Sequence, residues 1–250
     1  MDGQTRLDDL RQAGSMKVVF PRASKGSMTA VLVNTAGGVT GGDQFAFEAR
    51  AGQGTHLTLT TQAAERTYRA QPGEMGQITN RLTLDPGAQV NWLPQETILF
   101  QGSSVRRRLN VDMAADARLC LAEPLVFGRA AMGEVLTNAT FQDRIEIRRE
   151  GKPLYLDALS LTGDVAAHLA RPNIANGAGA MVTVVYAAPD AVARLDAVRA
   201  HLPDTAGASL IQDGLLALRI LAADSHDLRT SLVPILTFLS DNTLPRPWMI

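Results

Sequence analysis

At 250 residues the chain can bury one large core or two modest ones, and 46% hydrophobic with 20% charged residues excludes a disordered polymer. Its 24 basic and 25 acidic side chains leave a formal net charge of −1, which excludes a global field drawing it onto nucleic acid or an anionic membrane. The one cysteine, Cys120, excludes an intrachain disulfide; within the apolar run RLCLA it reads as a small buried hydrophobe rather than a nucleophile.

Residues 1–15 are polar and lack an apolar core, so they read as a flexible lead-in, neither secretory signal nor membrane span. With the missing disulfide, this favours the cytoplasm. From residue 16 to about 180 the chain is a succession of short β-like runs: 17–21, 29–34, 44–49, 55–61, 77–84, 89–93, 104–111, 118–121, 136–148 and 153–159. Turn signals such as Asp85-Pro86-Gly87 and Glu150-Gly151-Lys152 separate them. Many short strands without crossover helices imply a mainly β fold, either a sandwich, a barrel or a β-solenoid whose coils need not match in sequence.

Residues 181–250 change character. Residues 181–187 (MVTVVYA) and 215–222 (LLALRILA) read as buried strands. Residues 190–202 and 225–240 place apolar side chains at helical spacing, giving about two helices toward the C-terminus. Ser225 is the expected N-cap of the second, and Pro234 should bend or break it.

The densest segment is NTAGGVTGGD, residues 34–43, with two glycine pairs closed by a carboxylate. Glycine tolerates positive φ and lets another backbone come close, so Gly37, Gly38, Gly41 and Gly42 mark a tightly specified bend. It is not a phosphate loop, because Asp43 and Gln44 stand where a P-loop needs Lys and Ser or Thr. The alternating QFAFEA that follows is a strand rather than the helix of a dinucleotide site.

Three further segments could carry chemistry. Residues 57–69 run from a strand into Gln62, Glu65, Arg66, Tyr68 and Arg69; WLPQETILF (92–100) sets Glu96 among apolar residues; and FGRAAMGE (127–134) holds Arg129 and Glu134. Carboxylates so placed are paired with an arginine or exposed at a functional cavity. No activated nucleophile emerges, and His56, His168, His201 and His226 are isolated from one another. Any metal contact should therefore be carboxylate-rich and exchangeable, which suits transfer better than storage.

These segments, with a terminal LPRPW (244–248), resemble the UreD family of urease accessory proteins, also called UreH. The resemblance covers most of the chain in family order. It implies a single domain over residues 1–250, an irregular β-helix with helices near the C-terminus, and a non-enzymatic maturation factor. Such a factor binds urease apoprotein and recruits UreF and the GTPase UreG, with a homodimer formed through the UreD–UreF complex. No tightly bound cofactor is implied; Ni²⁺ would pass transiently, and Asp43, Glu65, Glu96 and Glu134 are the candidate lining. Gln62, Arg66 and Arg129 are the accompanying polar motif positions. Leu236, Leu239, Arg246 and Trp248 are the expected partner surface. The alternatives are an all-β hydrolase acting on a carbohydrate-like substrate and a plain scaffold without a metal role.

Overall fold

The computed structural model describes residues 4–22 and 26–249. After β1 (Met16–Val19) the chain winds through about four turns of a β-solenoid. The first holds β2 (Met28–Asn34) and β3 (Gln44–Ala51); the second β4 (His56–Thr61), β5 (Glu65–Thr67) and β6 (Gly76–Leu84). The third holds β7 (Gln89–Leu93), β8 (Thr97–Leu99) and β9 (Ser104–Met113), and the fourth β10 (Arg118–Phe127) and β11 (Ala139–Arg149). Strands β2, β4, β7 and β10 stack in parallel as one sheet, and β3, β6, β9 and β11 as the opposing one. Strands β5 and β8 pair along the corner between them.

Register explains why no repeat is visible in the sequence. Ala30, Leu59, Trp92 and Leu121 form one inward column, and Ala49, Leu82, Val111 and Ile147 face it from the other sheet. A coil needs only an apolar side chain of fitting volume at each level, so size varies freely between Ala and Trp provided the facing residue compensates.

The solenoid is closed by antiparallel strands. β1 pairs with β2 at one end; at the other, β12 (Lys152–Gly163) pairs with β11 and β13 (Ala180–Ala187) with β10. The first sheet then continues through β15 (Leu215–Ala222) to β14 (Ala206–Gln212). Part of the polar lead-in is tied down, since His56 N donates to Thr5 Oγ1 at 2.9 Å and Thr5 Oγ1 donates to Gly26 O at 2.9 Å.

Among the described residues there are three α-helices: α1 (Val165–Leu169), α2 (Ala191–Arg199) and α3 (Ser225–Leu239). The two expected ones are α2 and α3, whereas α1, β5, β8 and β14 carry too short or too polar a pattern to be read in advance. Asp224, not Ser225, caps α3, accepting from Asp227 N at 2.9 Å. Helix α3 also runs through Pro234 without ending. An interior proline costs about 3 kcal/mol. The apolar stripe of Leu228, Leu232, Ile235, Leu236 and Leu239 is buried on the outer side of the first sheet, and each such side chain stabilises by about 1.5–3 kcal/mol. The stripe outweighs the proline.

Candidate functional site

The glycine loop is a coil corner, and its four glycines divide by cause. Gly37 and Gly42 have φ of 79° and 83°, a conformation that side chains with a Cβ resist. Gly38 and Gly41 are needed for close approach: a Cβ on Gly38 would lie 2.3 Å from the Tyr68 ring and 2.6 Å from Arg66 O, and one on Gly41 2.6 Å from Glu74 Cβ. Between the pairs Val39 docks on the next coil, its N donating to Arg66 O at 2.8 Å and its O accepting from Tyr68 N at 2.7 Å. Asp43 closes the corner by accepting from Thr40 N at 2.9 Å.

From this corner a polar column links successive coils to the C-terminal segment. Asn34 Nδ2 donates to Gly38 O at 2.9 Å and to Glu65 Oε1 at 3.0 Å, and Glu65 N donates to Glu96 O at 2.8 Å. Burial pushes the Glu65 carboxyl up from its ordinary value and nearby Asp43 adds to that, while the Asn34 hydrogen bond pulls the other way. Glu96 is buried and held by Arg229 Nη1 at 3.1 Å, which also donates to Gln95 Oε1 at 2.8 Å. Arg229 Nη2 donates to Trp248 O at 3.1 Å, its guanidinium stacks on the Trp248 ring, and Trp248 Nε1 donates to Leu93 O at 2.9 Å. Four sequence motifs scattered over residues 34–248 therefore meet in one network.

One residue inward from Glu96, Thr97 faces the interior and leads to charged residues absent from the sequence expectations. Thr97 Oγ1 accepts from Arg107 Nη1 at 3.1 Å, and Arg107 forks onto Asp143 at 2.9 and 2.7 Å and pairs with Glu123 at 2.5 Å. Trp92 Nε1 donates to the other Glu123 oxygen at 2.7 Å. Burial opposes charge on Arg107, yet the Asp143 and Glu123 carboxylates overcome it and hold the guanidinium protonated; burial drives the Glu123 carboxyl upward against the pull of Arg107. A small cavity lies beside Glu123 and Asp143 and also touches Asp157, Thr183 and Arg219. Its volume of about 10 Å³ is of the order of a single water. Arg219 ion-pairs with Asp157 and donates to Thr183 Oγ1 at 3.0 Å.

The signal for this cluster was legible. In SVRRRLNVDM, Val105, Leu109, Val111 and Met113 all face the core, so period two puts Arg107 on the same side. Glu123 lies in register with Leu121 and Leu125, and Asp143 with Phe141 and Ile145.

Glu134 stands apart at the surface, paired with Arg129 through Nη2 at 2.7 Å and Nε at 3.1 Å; Arg129 stacks 4.2 Å from the Phe100 ring centroid. Its carboxyl is held below its ordinary value, chiefly by that arginine. The four carboxylates expected to share one lining are thus divided: Asp43 and Glu65 neighbour each other, while Glu96 and Glu134 are each tied to an arginine. Among the described residues no three His, Cys, Asp or Glu side chains converge as a metal-holding group. Gln62 and Arg66 are exposed beside the column. Burial pushes the Cys120 thiol up to about 12, in keeping with its reading as a hydrophobe.

The expected partner surface needs correction. Leu236 and Leu239 are fully buried and Trp248 is 2% exposed, all within the chain's own core, because the α3 stripe and the terminal turn pack on β10, β13 and β15. Presenting them to a partner would forfeit that burial; of the four, Arg246 alone is exposed.

Comparison with known proteins agrees with the geometry. The family model for UreD urease accessory protein matches residues 1–249. A urease accessory protein UreD of Ruegeria pomeroyi is 58% identical over 244 residues, covering 98% of this chain and 95% of that protein. Those of Roseobacter denitrificans and Methylobacterium sp. are 47% and 46% identical, covering 100% and 98% of this chain and 91% and 89% of theirs. The chain belongs to the UreD family of urease accessory proteins.

Proposed function

We propose that this protein acts in urease maturation as a non-enzymatic cytoplasmic scaffold that binds urease apoprotein and recruits UreF and the GTPase UreG, so that nickel reaches the active site. The family match along the chain carries this reading, and the column is its physical basis: an ion-paired network running from the Asn34 corner to Trp248 makes a stiff body on which other proteins can assemble. The carbohydrate-hydrolase alternative finds no support in the relatives.

A transient nickel passage fits Asp43 and Glu65 best. They are neighbouring oxygens of which one is partly buried and reluctant to ionise, so a divalent cation would be held weakly and released. Glu96 and Glu134 would have to exchange an arginine for the metal. Neither nucleic acid nor membrane is a partner in this reading, and no helix among the described residues is long and apolar enough to cross a membrane.

The test is co-expression of urease subunits, UreF and UreG with and without this chain, scored for bound nickel and activity. Loss of loading without the chain is expected; normal loading overturns the maturation role. Asp43→Ala and Glu65→Ala should reduce nickel content more than Glu134→Ala. Full loading in all of them ends the passage reading while leaving the scaffold.

A further inference from the structure

The first coil of the solenoid is closed on one side only. On the first sheet β1 covers the edge of β2, but on the opposing sheet β3 pairs only with β6 among the described residues, so its other edge is open. Gln77 N donates to Asp43 O at 2.8 Å and Asp85 N to Ala51 O at 3.0 Å, which fixes the ladder. The odd-numbered residues 43–51 bond to β6, and Gln44, Ala46, Glu48 and Arg50 turn N–H and C=O toward the free edge. Native sheets seldom leave so long an edge unblunted.

A groove of about 810 Å³ runs along that edge. Consecutive residues 47–52 line it, so both faces of β3 and the edge between them are within reach. On the inner side Phe47 and Ala49 look across the open mouth of the coil to Val18, Ala30, Leu57 and Leu59. Residues 5–10 wall the groove without filling the ladder: among the described residues no backbone hydrogen bond joins 7–13 to β3, and Leu7 and Leu10 stay 47% and 42% exposed. Three positions apart, those leucines would point to opposite faces of a strand. On the outer face Glu48 and Arg50 are already paired, with Arg81 at 2.9 Å and Asp85 at 3.0 Å. What lacks a partner here is main chain and apolar surface rather than charge.

We propose that this edge takes up an extended segment of a protein partner, added as a further strand beside β3 with apolar side chains at alternate positions turned into the coil mouth. The unpaired ladder selects the occupant, because only another main chain presents N–H and C=O at the strand repeat while its alternate side chains fill a groove. The groove's volume suits a short segment rather than a folded body. A second copy would have to bring its own edge to about 4.8 Å from β3 past residues 5–10. The inference goes beyond the maturation role and does not depend on it.

The test reads amide hydrogen exchange on the full ¹⁵N-labelled chain, with acetyl-Lys-Val-Thr-Val-Thr-Val-Lys-amide as the probe. Without peptide, the Ala46 and Glu48 amides should exchange freely while those of Phe45 and Phe47 are protected by β6. Saturating peptide should slow Ala46 and Glu48 by about tenfold or more and leave Phe45 and Phe47 unchanged. N-methylation of the peptide on its valines or on its threonines should abolish binding in one form and spare it in the other, since only one alternate set of amides faces β3. Ala46→Pro removes a donor from the free edge and none from the β6 ladder; it should weaken the peptide about tenfold with the urea midpoint little changed. Ala46 and Glu48 already protected in the dilute free chain, or both methylated peptides binding as well as the parent, overturn the proposal. Protection that appears only as the chain itself is concentrated overturns it in favour of a second copy. Should Ala46→Pro fail to fold, exchange in the unaltered chain still decides. Because binding is read on the isolated chain, its failure is separable from any failure in urease maturation.

Discussion

The glycine corner and the buried ion cluster both arise where coils stack, yet they constrain the chain in different ways. At the corner the demand is on backbone: Gly38 must let the Tyr68 ring and Arg66 O come within a distance no Cβ allows, and no charge is involved. In the cluster the demand is on charge, because Arg107 of the third coil is neutralised by Glu123 and Asp143 of the fourth. The corner is written as ten consecutive residues. The cluster is spread over three strands and holds the larger energetic stake, since a buried charge left without its partner costs more than a local clash.

The largest expected effect tests that ranking directly. Glu123→Ala should destabilise by about 3–5 kcal/mol, read from the urea midpoint at unchanged slope, because Arg107 and Trp92 both lose a buried partner. Replacing the group together, Arg107→Met with Glu123→Leu and Asp143→Leu, should recover much of the loss. A triple variant less stable than the single one would mean that shape rather than charge governs the cluster.

Next in size, Gly38→Ala should cost about 1–3 kcal/mol through overpacking against Tyr68 and the coil backbone. Gly37→Ala, with φ of 79° and open space around it, should cost only about 1 kcal/mol. Equal losses would show that conformation alone specifies the loop and would remove close approach from the account.

The smallest effect is a slope. The Glu65 carboxyl has a native pKa above its ordinary 4.5, so the folded state keeps a proton that the unfolded chain has already released. That contribution is complete below the ordinary value and is lost as pH rises through the native one. Glu65→Gln should therefore flatten the fall in stability that urea denaturation records as pH rises above the ordinary carboxyl value. Parallel curves for the two proteins would show that the Asn34 hydrogen bond cancels the effect of burial.

Most of the solenoid's strands were legible because period-two alternation survives in long strands such as 44–51 and 77–84, while the choice of a solenoid over a sandwich or barrel came from the family resemblance. The three-residue strands β5 and β8 were not, since so few residues carry no period; they form because neighbouring corners pair with each other. The glycine loop was rightly singled out as a tight bend, while its relation to Glu65, Glu96 and Arg229 depended on coil stacking. The C-terminal apolar stripe was also read correctly, but an apolar stripe looks the same whether it waits for a partner or for the chain's own sheet.

By itself the sequence determined a mainly β chain with two late helices, corners that only glycine can make, and membership of the UreD family. Tertiary structure alone decided which of the expected carboxylates are held by arginine and which by backbone or amide donors, that Trp248 and the α3 leucines serve the core, and that Arg107, Glu123 and Asp143 meet. The reason is physical: conformational demands act between neighbours along the chain, whereas charge pairing and burial act between side chains that only the fold brings within reach.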